Sequence, residues 1–373
     1  MIPITRPAIG EEEAAAAAEA VRSGWLTQGQ RVADFEAAVA GYVGVRHAIA
    51  TSNCTTALHL ALIAAGVRPG DEVICPSFTF IATANAIVHA GATPVFVDID
   101  PRTYNVTPDL VEPAITPRTR AIVPVSQIGL AVDTPAIMAI AREHGLTVVE
   151  DAAPSLGATV GEARTGRLAH FTCFSFHPRK SITTGEGGMI TTNDSGAAAI
   201  LRRIRSHGAS TSDLERHHSA GPAIEQYPDL GYNYRMTDIQ AAIGLVQLRR
   251  LDAILEERRS LALRYNALLA GDGRFVTPFE PPGFRHTYQS YCVRLRTTRP
   301  RAAIMAELAR KDIATRRGVM AIHLEPWYRA RFPHVRLPET ERAAEETLLL
   351  PLFAGMTHEE QDKVVRQLKR AAG

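Results

Sequence analysis

Residues Phe174-Ser-Phe-His-Pro-Arg-Lys180-Ser-Ile-Thr-Thr-Gly-Glu-Gly-Gly188 run from an apolar strand into a lysine and then a glycine turn. Ser175 puts a hydroxyl five residues before Lys180, and the glycines behind it leave the backbone free to bend. A lysine just past a buried strand is placed to hold a carbonyl compound, although a solvated loop charge would read the same way. Upstream, Val148-Val-Glu-Asp-Ala-Ala153 is a second apolar strand, and it ends in Asp151. Parallel α/β sheets collect ligands beyond the carboxyl ends of their strands, which is where Lys180 and Asp151 both fall.

Outward from these two strands the text alternates. From Arg46 it predicts strand 47–52, helix 55–65 closed by Gly66, strand 71–75, helix 79–89 closed by Gly91, and strand 94–98. Strand 120–125, helix 135–144 and strands 146–150, 171–176 and 188–192 follow. Such alternation implies right-handed crossovers and an α/β fold, with a mostly parallel sheet covered by helices on both faces. Glu11 to Ser23, alanine-rich, acidic at its start and stopped by Gly24, reads as a helix that complements its own dipole. A long helical pattern spans Thr237 to about Leu269, and after Gly271 come strands near 287–296, a helix 300–310 and a final helix 357–371. The expected division is a large domain over 1–236 that includes the N-terminal segment, a connecting helix over 237–270, and a smaller C-terminal α+β domain over 271–373.

A chain of 373 residues, 46% hydrophobic, can bury a large core. Lys and Arg number 41 against 39 Asp and Glu, a net charge of +2, which gives no electrostatic case for nucleic acid or an anionic membrane and favours small-molecule chemistry. Cys54, Cys75, Cys173 and Cys292 form no CxxC pair, so neither a disulfide framework nor a zinc site is indicated. The polar segment 209–230 contains His217-His218, but no third ligand is spaced with the pair; it reads as a solvated loop, with substrate gating or subunit contact left open. No metal is expected. Without a signal segment or an apolar run of about 18 residues, a cytoplasmic protein is the expectation.

An amine and a carboxylate at adjacent strand ends suit pyridoxal phosphate. Its aldehyde needs the amine, and its ring nitrogen stays protonated beside the carboxylate, so that the ring can accept electrons. Thr51-Ser-Asn-Cys-Thr-Thr-Ala-Leu58 joins a strand to its helix, where Thr55 and Thr56 can offer hydroxyls and free N–H groups to a phosphate; an ordinary N-cap is the alternative. Ser175 is a further phosphate candidate. Phe80, in Pro76-Ser-Phe-Thr-Phe80, could lie flat against a pyridine ring, though an aromatic there can equally be core.

These residues resemble the sugar aminotransferases of the DegT/DnrJ/StrS family, within the aspartate-aminotransferase-like fold (fold type I) of pyridoxal-phosphate enzymes. The resemblance spans nearly the whole chain: Ser23-Gly-Trp-Leu-Thr-Gln-Gly29, Gly91-Ala-Thr-Pro-Val-Phe-Val-Asp98, Glu150-Asp-Ala-Ala153, the Lys180 run, Gly231-Tyr-Asn-Tyr-Arg-Met236 with Gln240-Ala-Ala-Ile-Gly244, and Leu349-Leu-Pro-Leu-Phe353. It implies that Lys180 forms the Schiff base and that Asn233 reaches the phosphate of a neighbouring subunit's cofactor, making a homodimer obligatory. Arg235 would help with substrate anions there, and His323, in Ala321-Ile-His-Leu-Glu-Pro326, would lie near the substrate. Two departures stand out: Pro154 replaces the usual Gln or His near the ring's 3′-oxygen, and Cys54 replaces the usual Gly or Ala of the phosphate turn.

The same resemblance implies two half-reactions. L-Glutamate gives its amino group to the cofactor, leaving pyridoxamine phosphate, and a keto sugar then takes it up. Ile182-Thr-Thr-Gly-Glu-Gly-Gly188 is similar to the tract in enzymes that aminate C4 of nucleotide-linked 4-keto-6-deoxy sugars. Alternatives are a 3-keto sugar, a cyclitol ketone, an aromatic amino acid precursor, or a non-catalytic regulator that binds pyridoxal phosphate. A dehydratase of the same fold would carry histidine in place of Lys180. A nucleotide-binding reading of the glycines at 185–188 fails, because they precede the strand-like Met189-Ile-Thr-Thr192 instead of a helix.

Overall fold

The computed structural model describes residues 1–211 and 225–373. Ser212, Asp213, His217, His218 and Pro222 of the expected polar loop lie outside the described residues. Among those described, strands His47–Thr51 (β1), Glu72–Pro76 (β2), Thr93–Val97 (β3), Thr119–Ile122 (β4), Thr147–Asp151 (β5), Phe171–Ser175 (β6) and Gly188–Thr192 (β7) form one sheet, in the order β1-β7-β6-β5-β4-β2-β3. Alternate strand residues feed different cores. Ile49, Val73, Val149, Cys173 and Ile190 pack with helices Cys54–Ala64, Ala82–His89 and Ser195–Arg205. Ala48, Phe174 and Met189 pack with helix Gln30–Val43, and Ile74 and Val148 with helix Thr134–Glu143. The period-two side-chain alternation of a strand thus explains why both faces are apolar and both are covered.

Pairing is parallel from β3 through β2, β4 and β5 to β6. β7 runs antiparallel to both β6 and β1, so β1 to β6 all point the same way. The reason lies in residues 176–187, which carry no helix and therefore return the chain as an antiparallel neighbour instead of crossing over. Lys180 sits in that return.

Helix Asp238–Leu269 has 32 residues. It is therefore about 48 Å long, and Thr237 and Gln240 close its start with a capping box. Its Leu251, Ile254 and Leu255 join the core around Phe35, whereas Leu261, Ala262, Tyr265 and Leu269 join a second core. That core backs a second, antiparallel sheet of Phe275–Val276 (β8), Tyr291–Leu295 (β9), Arg316–Arg317 (β10) and Thr347–Leu350 (β11), ordered β8-β9-β11-β10. Residues 2–4, grouped above with the large part, join this second body. The Ile2 N–H donates to the Asp312 carbonyl at 2.7 Å, and the Leu352 N–H donates to the Ile4 carbonyl at 3.1 Å. Helices Gln30–Val43, Ser195–Arg205 and Pro338–Glu346 are further elements that the sequence pattern above does not mark. No helix among the described residues is long and apolar enough to cross a membrane.

Candidate active site

Because β1 to β6 share a direction, the segments leaving their carboxyl ends converge. A cavity of about 950 Å³ opens there. Thr55 and Thr56 reach it from the end of β1, Phe80 from β2, Gln127 and Ile128 from β4, Asp151 from β5, and Ser175 and Lys180 from β6. The opposite wall comes from the second sheet, through Arg316 and Leu349, and from Ile4 and Thr5.

Lys180 is held by its turn. Its N–H donates to the His177 carbonyl at 2.8 Å, and the carbonyl of Phe176 accepts from both the Thr184 N–H at 3.0 Å and the Thr183 hydroxyl at 2.8 Å. The return into β7 must pass close to the Asn53 turn. A Cβ on Gly188 would stand 2.4 Å from the Asn53 carbonyl oxygen, so only glycine fits. Burial pulls the Lys180 ammonium below its ordinary range, against the opposing pull of Cys54 and Asp151, and so favours the neutral amine that nucleophilic chemistry needs.

Asp151 is buried, yet both its oxygens are fixed: Thr83 Oγ1 donates to Oδ2 at 2.7 Å and the Ala153 N–H donates to Oδ1 at 3.1 Å. Burial raises its carboxyl pKa, with Thr83, the Ala153 N–H and the Lys180 charge opposing. A carboxylate held in this way fits a protonated ring nitrogen. The neighbouring Glu150 side chain is also fully buried; burial pushes its carboxyl up to about 7, although Ser126 Oγ donates to it at 2.6 Å.

At the end of β1, the helix cap is Asn53, not a threonine: its Oδ1 accepts from the Thr56 N–H at 2.9 Å. The Thr56 hydroxyl is turned back onto the Asn53 carbonyl at 2.7 Å. The helix N-terminus facing the cavity still offers first-turn N–H groups and the Thr55 hydroxyl to an anion. Phe80 lines the cavity and is 58% exposed, so its ring is accessible from the cavity. Ile128 adopts φ 60°, a strained backbone for a β-branched residue, and lines the wall while the Thr287 N–H ties the adjoining Gly129 carbonyl at 2.9 Å.

Three predicted site residues lie off the cavity wall. Asn233 is exposed, although its neighbour Tyr234 lines the cavity, and Arg235 Nη1 donates to Ser206 Oγ at 3.1 Å. His323, expected near the substrate, is buried between Ser77 and Glu341: its Nδ1 is 2.7 Å from Ser77 Oγ and its Nε2 is 3.1 Å from Glu341 Oε1. These contacts clamp the segment after β10 to the end of β2. Conversely, Thr83, Gln127, Arg179 and Arg316 belong to the site or its supports without having been singled out from sequence. Thr83, three residues past Phe80 in the helix that follows β2, carried the one usable signal.

The donor set fits pyridoxal phosphate: an amine for the aldehyde, a carboxylate for the ring nitrogen, a helix N-terminus with hydroxyls for the phosphate, and an exposed ring for the pyridine face. Residues 7–369 match the model of the DegT/DnrJ/EryC1/StrS aminotransferase family. The chain is 38% identical over 374 residues to the spore coat polysaccharide biosynthesis protein SpsC of Bacillus subtilis, covering 99% of this chain and 96% of that one. Its fold is similar to a putative sugar aminotransferase, Spr1654 of Streptococcus pneumoniae, in its PMP form, with TM-score 0.93, 29% identity and coverage of 100% and 99% of the two chains. It is also similar to DesI, solved in the presence of its TDP-sugar product, with TM-score 0.89, 34% identity and coverage of 100% and 93%. Pyridoxal phosphate is thus the cofactor, and transamination of a sugar the reaction class. Sequence, fold and cavity agree that the chain belongs to the DegT/DnrJ/EryC1/StrS aminotransferase family.

Proposed function

We propose that the chain moves the amino group of L-glutamate to C4 of a nucleotide-linked 4-keto-6-deoxy hexose, as a homodimer whose subunits complete each other's sites. The observation that carries the regiochemistry is the tract Ile182 to Gly188 beside Lys180. Thr183 and Thr184 are buried in it, with their hydroxyls on the carbonyls of Phe176 and Glu186, which fixes the turn through which Glu186 reaches the cavity. The solved relative with a TDP-sugar product supports a nucleotide-linked acceptor.

When bound, pyridoxal phosphate supplies the aldehyde that carries the amino group and the ring that takes up the electron pair left at carbon. In this reading Lys180 removes the proton from the donor's α-carbon and later delivers one to C4 of the sugar. Asp151 holds the ring nitrogen's charge, a stabilisation that is electrostatic and preset by Thr83 and the Ala153 N–H. Thr55, Thr56 and Ser175 anchor the phosphate, and Phe80 covers the ring. Asn233 and Arg235, which do not line their own cavity, serve the neighbouring subunit. Residues 1–236 then carry the cofactor, 237–270 connect, and 271–373, together with Ile4 and Thr5, close the far wall.

The test is product identification by NMR after incubation with L-glutamate and matched 3-keto, 4-keto and cyclitol substrates. Amination at C4 of the nucleotide sugar is expected. Amination at C3, or preference for an unphosphorylated cyclitol ketone, would overturn the substrate assignment and leave the transaminase class standing.

A further inference from the structure

We infer that Arg179 and Arg316 form an anion subsite at the cavity wall that takes the remote carboxylate of a dicarboxylic amino donor and so selects it over monocarboxylic amino acids. This rests on the transaminase reading above and assigns to it a specificity device. Both arginines line the cavity, one from each body of the molecule: Arg179 from the turn that holds Lys180, Arg316 from the edge strand β10. Neither has a carboxylate within ion-pair distance among the described residues, whereas Arg317, next along the chain, is paired with Glu325 at 3.3 Å.

The Arg179 backbone is pinned where it stands, since Gln289 Nε2 donates to its carbonyl at 2.5 Å and its own N–H donates to His177 Nδ1 at 3.2 Å. Burial first, and the facing Arg316 charge second, depress the Arg179 pKa. Both residues are exposed and line the cavity, and where two like charges face one another a bound carboxylate relieves their repulsion while accepting charge-assisted hydrogen bonds from two forked donors. The α-carboxylate of any amino acid is shared by all donors. A subsite one residue along the chain from the reacting amine is the place to read what differs, the end of the side chain.

The experiment compares the half-reaction of the holoenzyme with L-glutamate and with L-2-aminobutyrate, followed by the change in cofactor absorbance, in wild type, Arg179→Gln and Arg316→Gln. Each variant is expected to lose about tenfold to a hundredfold more in the second-order constant for L-glutamate than in that for L-2-aminobutyrate, the worth of a charge-assisted bond. Calorimetric titration with glutarate should weaken in parallel, and titration with butyrate should not. Equal losses for both amino acids would mean a general effect on Lys180 and would overturn the assignment. So would a loss confined to the keto-sugar nucleotide half-reaction, or no loss at all. If wild type converts with neither amino acid, the transaminase reading has failed instead.

Discussion

Two carboxylates stand side by side on β5, and alternation sends them to opposite faces: Asp151 toward the cavity, Glu150 into a buried pocket with Ser126 and Thr172. Glu150 titrates near 7 when folded, against an ordinary value of 4.5, so the native state binds its proton more tightly than the unfolded chain. The stability it contributes is complete below 4.5 and is lost as pH rises through about 7. Glu150→Gln should therefore gain on the wild type by about 1–3 kcal/mol between pH 4.5 and 8. Denaturant melts at both ends of that range check it, and a pH-independent difference would refute it. At this scale the sequence was legible where chemistry is local: Lys180 and Asp151 each announce themselves at the end of an apolar strand. His323 was not, because nothing in Ala321-Ile-His-Leu-Glu-Pro326 shows that Ser77, far off in the chain, will close over its ring. Arg316 escaped for the same reason, its position depending on how the second sheet meets the first.

Strands β1 to β7 match the sequence pattern closely because their apolar runs are short and bounded by turn residues. Helix Gln30–Val43 shows why other elements were invisible. It follows Gly29, which has no side chain to cap it, and its N-terminus is satisfied from far along the chain. Asp238 Oδ1 accepts from the Gly29 N–H at 2.8 Å and the Val32 N–H at 3.0 Å, and Oδ2 from the Arg31 N–H at 3.3 Å. Asp238 is itself the first residue of the long helix, so one buried carboxylate sits at the positive ends of two helices. Asp238→Ala leaves three amides short of a partner and should cost about 2–4 kcal/mol, read as a lowered denaturant midpoint with unchanged slope. A midpoint within error of wild type would show that water replaces the cap.

For the molecule as a whole, the exposed Asn233 and the 86% exposed Leu230 lie on a stretch that lines its own cavity only through Tyr234. If that stretch serves a neighbour, Lys180→Ala and Asn233→Ala subunits, each inactive alone, should complement one another when mixed and allowed to exchange. With random pairing in a two-fold dimer, about a quarter of the sites would hold both native groups. Sedimentation alongside the assay completes the test: an active monomer, or no recovery despite proven exchange, would rule out shared sites.

The pairing of residues 2–4 with the Asp312 and Leu352 backbones also sets an order of events in synthesis. The backbone partners of Ile2 and Ile4 are translated more than three hundred residues later, roughly half a minute at about ten residues per second. Ile4 and Thr5 are part of the cavity wall, so the vessel for the cofactor stays open on one side until the segments around Asp312 and Leu352 have been made. Tight retention of pyridoxal phosphate would then report that this closure has formed, and a chain released before Leu352 would have little means of keeping it.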